Sequence, residues 1–180
     1  MHFQDLPPAP YCYEDVTAFA FIAEDPNGDS WIAGKFPRAP TGAFSEVWKL
    51  KRIFTAWTPQ TIVVDNPVRM EAGRAIWNLP KILGEVVLRG GGDTRYVSVT
   101  TKIGTTDLIV RARGAQQSRT FGGKFDLALP GGLTATLKFQ PSKLALPALL
   151  TAAGKDRPGY LFDFSGTAEL TAPAARADAA

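Results

Sequence analysis

A lysine that directly follows a proline closes the segment Thr61–Lys81, TIVVDNPVRMEAGRAIWNLPK. The run sets Lys81 behind an apolar stretch and an aromatic-containing turn, with Trp77, Leu79, Ile82 and Leu83 as its apolar sequence neighbours. Two readings are open. Most lysines at the end of a short turn are solvated surface charges. In an apolar cavity the same residue is a nucleophile, because an amine that has lost its proton attacks carbonyl carbon. The requirement is steep: an ordinary lysine titrates near ~10.4, and lowering that to about 7 disfavours the ammonium by roughly 4–5 kcal/mol. Desolvation or a neighbouring positive charge can supply the shift.

Other chemistries have less to work with. One cysteine, Cys12, excludes an internal disulfide and a cysteine-rich metal site. One histidine, His2, cannot anchor a histidine-based metal centre, and no spacing of carboxylates suggests a hard-cation loop. The net charge of +3 is spread along the chain, and its densest group is only Lys49, Lys51 and Arg52. Nucleic-acid recognition calls for a broader basic footprint. The opening MHFQDLPPAP has neither a basic nor an apolar leader-like stretch, and no apolar run is long enough to span a bilayer. The expectation is a soluble cytoplasmic protein without membrane or nucleic-acid partners.

The elements that must position Lys81 read mainly as strands. The 180 residues are 45% hydrophobic, with eleven Phe and four Trp, enough for one domain with a sizeable core. Runs rich in aromatic and β-branched residues predict strands over 16–23, 31–36, 43–54, 61–64, 84–89, 95–103, 107–112, 121–129, 134–139 and 160–170. Turn chemistry separates them, as in EDPNGDS (24–30), GGGDT (90–94) and PGGL (130–133). Glu71–Leu79 predicts one or two helical turns ended by Pro80, and 143–153 predicts a helix with Leu144, Leu146, Leu149 and Leu150 apolar. The small-residue end, 171–180, predicts a disordered tail. The sum is mostly antiparallel β with one or two short helices, closed into a barrel or sandwich.

Five pieces stand in an order and spacing that carry more. They are PPAPY (7–11), GAFSE (42–46), VDN (64–66), AGR (72–74) and LPK (79–81). Together they resemble the acetoacetate decarboxylase-like superfamily over most of 7–85. The resemblance implies a single domain over 1–170 with an antiparallel β-barrel or cone. It further implies a carbon–carbon lyase whose Lys81 forms a Schiff base with a small oxo acid or β-keto substrate, without a cofactor or metal, in a homo-oligomer. Glu46 becomes the active-site carboxylate, a general acid or base that is either protonated by desolvation or held away from Lys81. Phe44, Trp77 and Leu79 become cavity contacts. Arg74 either bridges to Glu71 or Asp65 or reaches a substrate carboxylate. Tyr11, Tyr13, Tyr96 and Tyr160 are candidate proton donors with nothing to rank them.

Two departures from the resemblance matter. Ile82 stands where the decarboxylases proper carry a second lysine, and Asp15-Val16 stands where they carry an early arginine. Desolvation alone is then expected to activate Lys81. The alternative is a binding protein on the same fold, its aromatic-rich cavity holding an apolar or oxo-containing metabolite without turnover.

Overall fold

Alternation along the longest strands decides the architecture. In β1 (Tyr11–Ala23), Tyr13, Val16, Ala18 and Ala20 join one core cluster, while Phe19 and Phe21 join another. A strand buried on both faces needs layers on both sides. The computed structural model, which describes residues 2–114, 123–140 and 145–176, supplies them.

The first layer is a ring. Strands β1, β2 (Ser30–Phe36), β3 (Phe44–Ile53) and β4 (Ala56–Val64) pair in antiparallel succession. The ring continues through β9 (Lys124–Leu129) and β10 (Leu133–Phe139) to β12 (Lys155–Leu170), which pairs back onto β1. Inside lie Phe36, Phe44, Trp48, Leu50, Ile62, Val64, Phe125, Phe139, Phe164 and the inward residues of β1. The second layer extends from the far half of β12 through β11 (Ala145–Ala152), β8 (Gly104–Ala112) and β7 (Thr94–Thr101) to β6 (Glu85–Gly91). Its Val86, Val97, Leu108, Val110 and Leu150 cover the outward Phe19, Phe21, Ala33, Val47 and Val63 of the ring. One helix, α1 (Pro67–Trp77), and the short β5 (Lys81–Leu83) follow β4.

The mainly β expectation holds, with several corrections. The helix expected over 143–153 is β11 over its described part, paired with β8 on one side and β12 on the other; Lys143 and Leu144 lie outside the described residues. Leucines at helical spacing misled here; Pro147 inside the run lacks a helix donor, and it is tolerated in β11 because the pairing with β8 begins only at Ala148. The ring is not wholly antiparallel: β4 pairs in parallel with β5 and with β9. The strand expected over 121–129 begins at Lys124, with Phe121 outside the described residues. Within the expected tail, Ala174–Ala175 form β13 against Thr134 and Leu133, and 177–180 lie outside the described residues. Helix α1 starts four residues before the expected Glu71. Asn66 caps it by accepting from the Arg69 amide at 2.9 Å, and Pro67 follows at the first helical position, where its missing N–H is harmless.

Candidate active site

Three backbone elements converge on one interior point. Glu46 lies on β3 with its side chain facing into the ring, where its neighbour across the ladder is Val64. Lys81 opens β5 and pairs with Ile62 of β4. Between β4 and β5, α1 crosses the site and presents Arg69, Gly73 and Trp77, which share one stripe at i, i+4 and i+8. The Asn66 side-chain amide ties the start of this helix to the β2–β3 connection, donating to the carbonyls of Thr41 and Ala43. At the other end Asn78 takes the left-handed conformation, and the Leu79 amide donates back to the Gly73 carbonyl. This reversal aims Lys81 into the ring.

The Lys81 side chain is completely buried and runs against Gly73. A Cβ on residue 73 would collide with Lys81 Cδ and Cε, so glycine is required there for close packing, not for its backbone freedom. Lys81 Nζ donates to Glu46 Oε2 at 2.6 Å. The Arg69 guanidinium lies 3.8 Å from Glu46 Oε1. Around Arg69 stand the rings of Phe44, Tyr13 and Trp77, with centroids 4.8, 5.1 and 5.6 Å from the guanidinium carbon. The Trp48 ring lies 5.8 Å from Lys81 Nζ. Among the described residues Glu46, Arg69 and Lys81 are the buried charged side chains, and they sit together.

Their titration follows from this arrangement. Burial, reinforced by the Arg69 charge and opposed by Glu46, brings the Lys81 ammonium down to about 7. For Glu46 burial pushes the carboxyl up, but Lys81 and Arg69 together outweigh it and hold the group below the usual carboxylate range. Glu46 is therefore ionised and in direct contact with Lys81. Both earlier expectations for it, a protonated acid or a carboxylate held at a distance, are corrected. Burial pushes the Tyr13 phenol up to about 12 against the lowering influence of Arg69, so it stays protonated.

The expected site residues separate into three groups. Glu46, Lys81 and Phe44 come together at the interior point. Trp77 and Leu79 form its buried wall, with the Trp77 indole donating to the Thr171 carbonyl at 2.8 Å. Arg74 is on the exposed side of α1, with neither Glu71 nor Asp65 as its hydrogen-bond partner; its Nε donates to the Lys81 carbonyl at 2.7 Å and fixes the lysine's main chain from outside. Arg69 is the residue the sequence reading missed. Its signal was the stripe it shares with Gly73 and Trp77, visible only once α1 is extended back to Pro67. Arg69 also overturns the expectation that desolvation acts alone, since it supplies the neighbouring positive charge that Ile82 does not. Residue 82 points away from Lys81 in any case, packing against the outer cluster.

Among the described residues no helix is long and apolar enough to cross a membrane, and no cluster of three or more His, Cys, Asp or Glu could hold a metal ion.

No family model and no curated protein matches the chain in sequence. Solved structures do match in three dimensions. An acetoacetate decarboxylase aligns over 93% of this chain and 88% of its own, with TM-score 0.58 at 14% identity. The acetoacetate decarboxylase of Legionella pneumophila aligns over 94% and 89%, with TM-score 0.57 at 12% identity. The enduracididine biosynthesis enzyme MppR, complexed with pyruvate, aligns over 94% and 91%, with TM-score 0.60 at 14% identity. With its ring, its covering layer and its crossing helix, the chain has the acetoacetate decarboxylase-like fold.

Proposed function

We propose that this protein is a Schiff-base lyase in which Lys81 condenses with the carbonyl of a small oxo acid or β-keto acid. The observation that carries this reading is a fully buried lysine, lowered to about 7, in contact with an ionised carboxylate. The likeness to MppR in its pyruvate complex supports an oxo-acid substrate.

The chemistry assigns each group a task. The free Lys81 amine attacks the carbonyl carbon, forming the N–C bond and sending the π electrons to oxygen. Glu46, at hydrogen-bond distance from Nζ, carries the released proton to that oxygen, and water leaves to give the iminium. With a β-keto acid the bond to the carboxylate carbon then breaks. Its electron pair flows into the iminium, and CO2 departs from an enamine. Protonation at carbon and readdition of the lost water release the ketone and restore the amine, with one proton consumed overall. With pyruvate the same iminium can instead lose a methyl proton and add to an aldehyde.

The reading of a binding-only protein rested on the two missing cations, and Arg69 supplies one positive charge at the site. The test is trapping with cyanoborohydride and pyruvate, followed by peptide mass mapping, as a function of pH. Because the Lys81 value is lowered, the amine form exists above about 7: about a tenth is free at pH 6 and about nine-tenths at pH 8. Glu46 stays ionised throughout, so one rising limb centred near 7 is expected for an adduct on Lys81. No adduct on Lys81 at any pH would remove the reading.

A further inference from the structure

Two polar groups at the site lack a well-formed hydrogen bond. Arg69 Nε and the Tyr13 hydroxyl are both buried, and the hydroxyl has only the neighbouring Arg69 guanidinium to interact with. Buried donors are rarely left so, and each carries a desolvation penalty that a ligand can relieve. The two groups are neighbours. The Arg69 guanidinium lies against the Tyr13 ring, and Tyr13 remains a neutral donor because burial keeps its phenol protonated. Arg69 is only loosely satisfied otherwise, since its one carboxylate partner, Glu46, lies at 3.8 Å and is engaged more closely by Lys81.

Charge balance points the same way. With Lys81 as the free amine, Glu46 and Arg69 cancel and the chamber is neutral. An iminium adds one positive charge. If the substrate brings a carboxylate, the sum returns to zero; if it is a neutral ketone, a buried net charge of +1 remains. Loss of CO2 removes the anion and discharges the iminium together, so neutrality persists through the step.

We infer that Arg69 and Tyr13 form the seat for the substrate's carboxylate and make the site selective for anionic oxo acids over neutral ketones. Arg74, the other arginine of this segment, is outside the chamber and engaged with the Lys81 carbonyl. Tyr13 also borders an open surface cavity of about 430 Å³, shared with Glu14, Gln140, Thr167 and Glu169. Tyr13 stands at the β1 bulge, where the register with β12 shifts between Tyr13 and Val16.

This assignment rests on the Schiff-base reading for turnover but not for binding, and its experiment has two arms. In the first, cyanoborohydride trapping on Lys81 is compared for pyruvate and acetone in the wild-type protein, Arg69→Met and Tyr13→Phe. The ratio of the two rates cancels any shared change in free amine. Wild-type protein is expected to favour pyruvate. Arg69→Met should reduce that preference by about a hundredfold and Tyr13→Phe by about tenfold, as expected for losing a charged and a neutral donor. In the second arm, propionate, which has no ketone, is titrated by calorimetry into the wild-type protein at pH 6, where Lys81 is mostly ammonium and one bound anion brings the site to neutrality. Heat of binding is expected, and Arg69→Met should lose it. If Tyr13→Phe and Arg69→Met both fold and both keep the wild-type preference, the assignment is overturned. If propionate binds the wild-type protein and requires Arg69 while no carbonyl compound is trapped on Lys81, the carboxylate seat stands and the Schiff-base reading falls.

Discussion

Replacing Lys81 with methionine is expected to abolish adduct formation and to lower turnover of the oxo-acid substrate by at least about a thousandfold, since the nucleophile itself is gone. Methionine keeps the apolar stem that packs against Gly73 and is only one atom shorter, so the site is not emptied. Its effect on stability is set by what remains. Glu46 loses its 2.6 Å partner but keeps Arg69 at 3.8 Å. Breaking a buried pair costs about 3–5 kcal/mol when the leftover charge is stranded. Here Arg69 limits the loss, so thermal unfolding should show a modest decrease alongside complete loss of trapping. An unfolded variant would show that the pair is chiefly structural. A folded variant with wild-type turnover would show that the reaction does not pass through Lys81.

Glu46→Gln produces a different signature. Glu46 is the shared anion of two buried cations, so its loss leaves Arg69 without a carboxylate and should destabilise the fold by about 3–5 kcal/mol. It also removes the influence that raises the Lys81 value, so the amine is freed at lower pH. Turnover nevertheless falls, by about 10²–10⁴-fold, because the proton shuttle between nitrogen and oxygen is lost. The expected combination is trapping whose rising limb moves below 7 together with slow turnover. Steady-state rates and trapping, each measured across pH, check it. A rising limb that moves upward would contradict the electrostatic account of the pair.

The contrast between these two residues and Arg69 shows what a single sequence can reveal about this fold. Lys81 and Glu46 were legible through the family resemblance, because LPK and GAFSE stand in its order and spacing; taken alone, each residue reads as a surface charge. Arg69 was not, because a lone arginine in a polar-looking helix reads as solvent-facing. Only the capping by Asn66 and Pro67 sets the helix phase that turns Arg69 inward with Gly73 and Trp77. The contribution of residue 82 was misjudged for a related reason. Proximity in sequence suggested proximity to Nζ, yet alternation along β5 sends Ile82 to the opposite face. Most strands were visible from their β-branched and aromatic runs. The short β5 and β13 were not foreseen, and among the longer strands β11 lay hidden because LALPALL fits helical spacing as well as it fits a strand. The parallel β4–β5 pairing depends on the chain returning across α1, which no local pattern encodes.

The proposed nucleophile depends on the charge state of one nitrogen, Lys81 Nζ. Direct observation of the Lys81 side-chain 15Nζ resonance across pH, assigned by its absence in Lys81→Met, measures that state. The expected result is a titration centred near 7, set by burial and Arg69 against the pull of Glu46. A resonance that remains ammonium-like up to the ordinary lysine range, about 10.4 or above, would make Lys81–Glu46 a structural ion pair and contradict the proposed nucleophile.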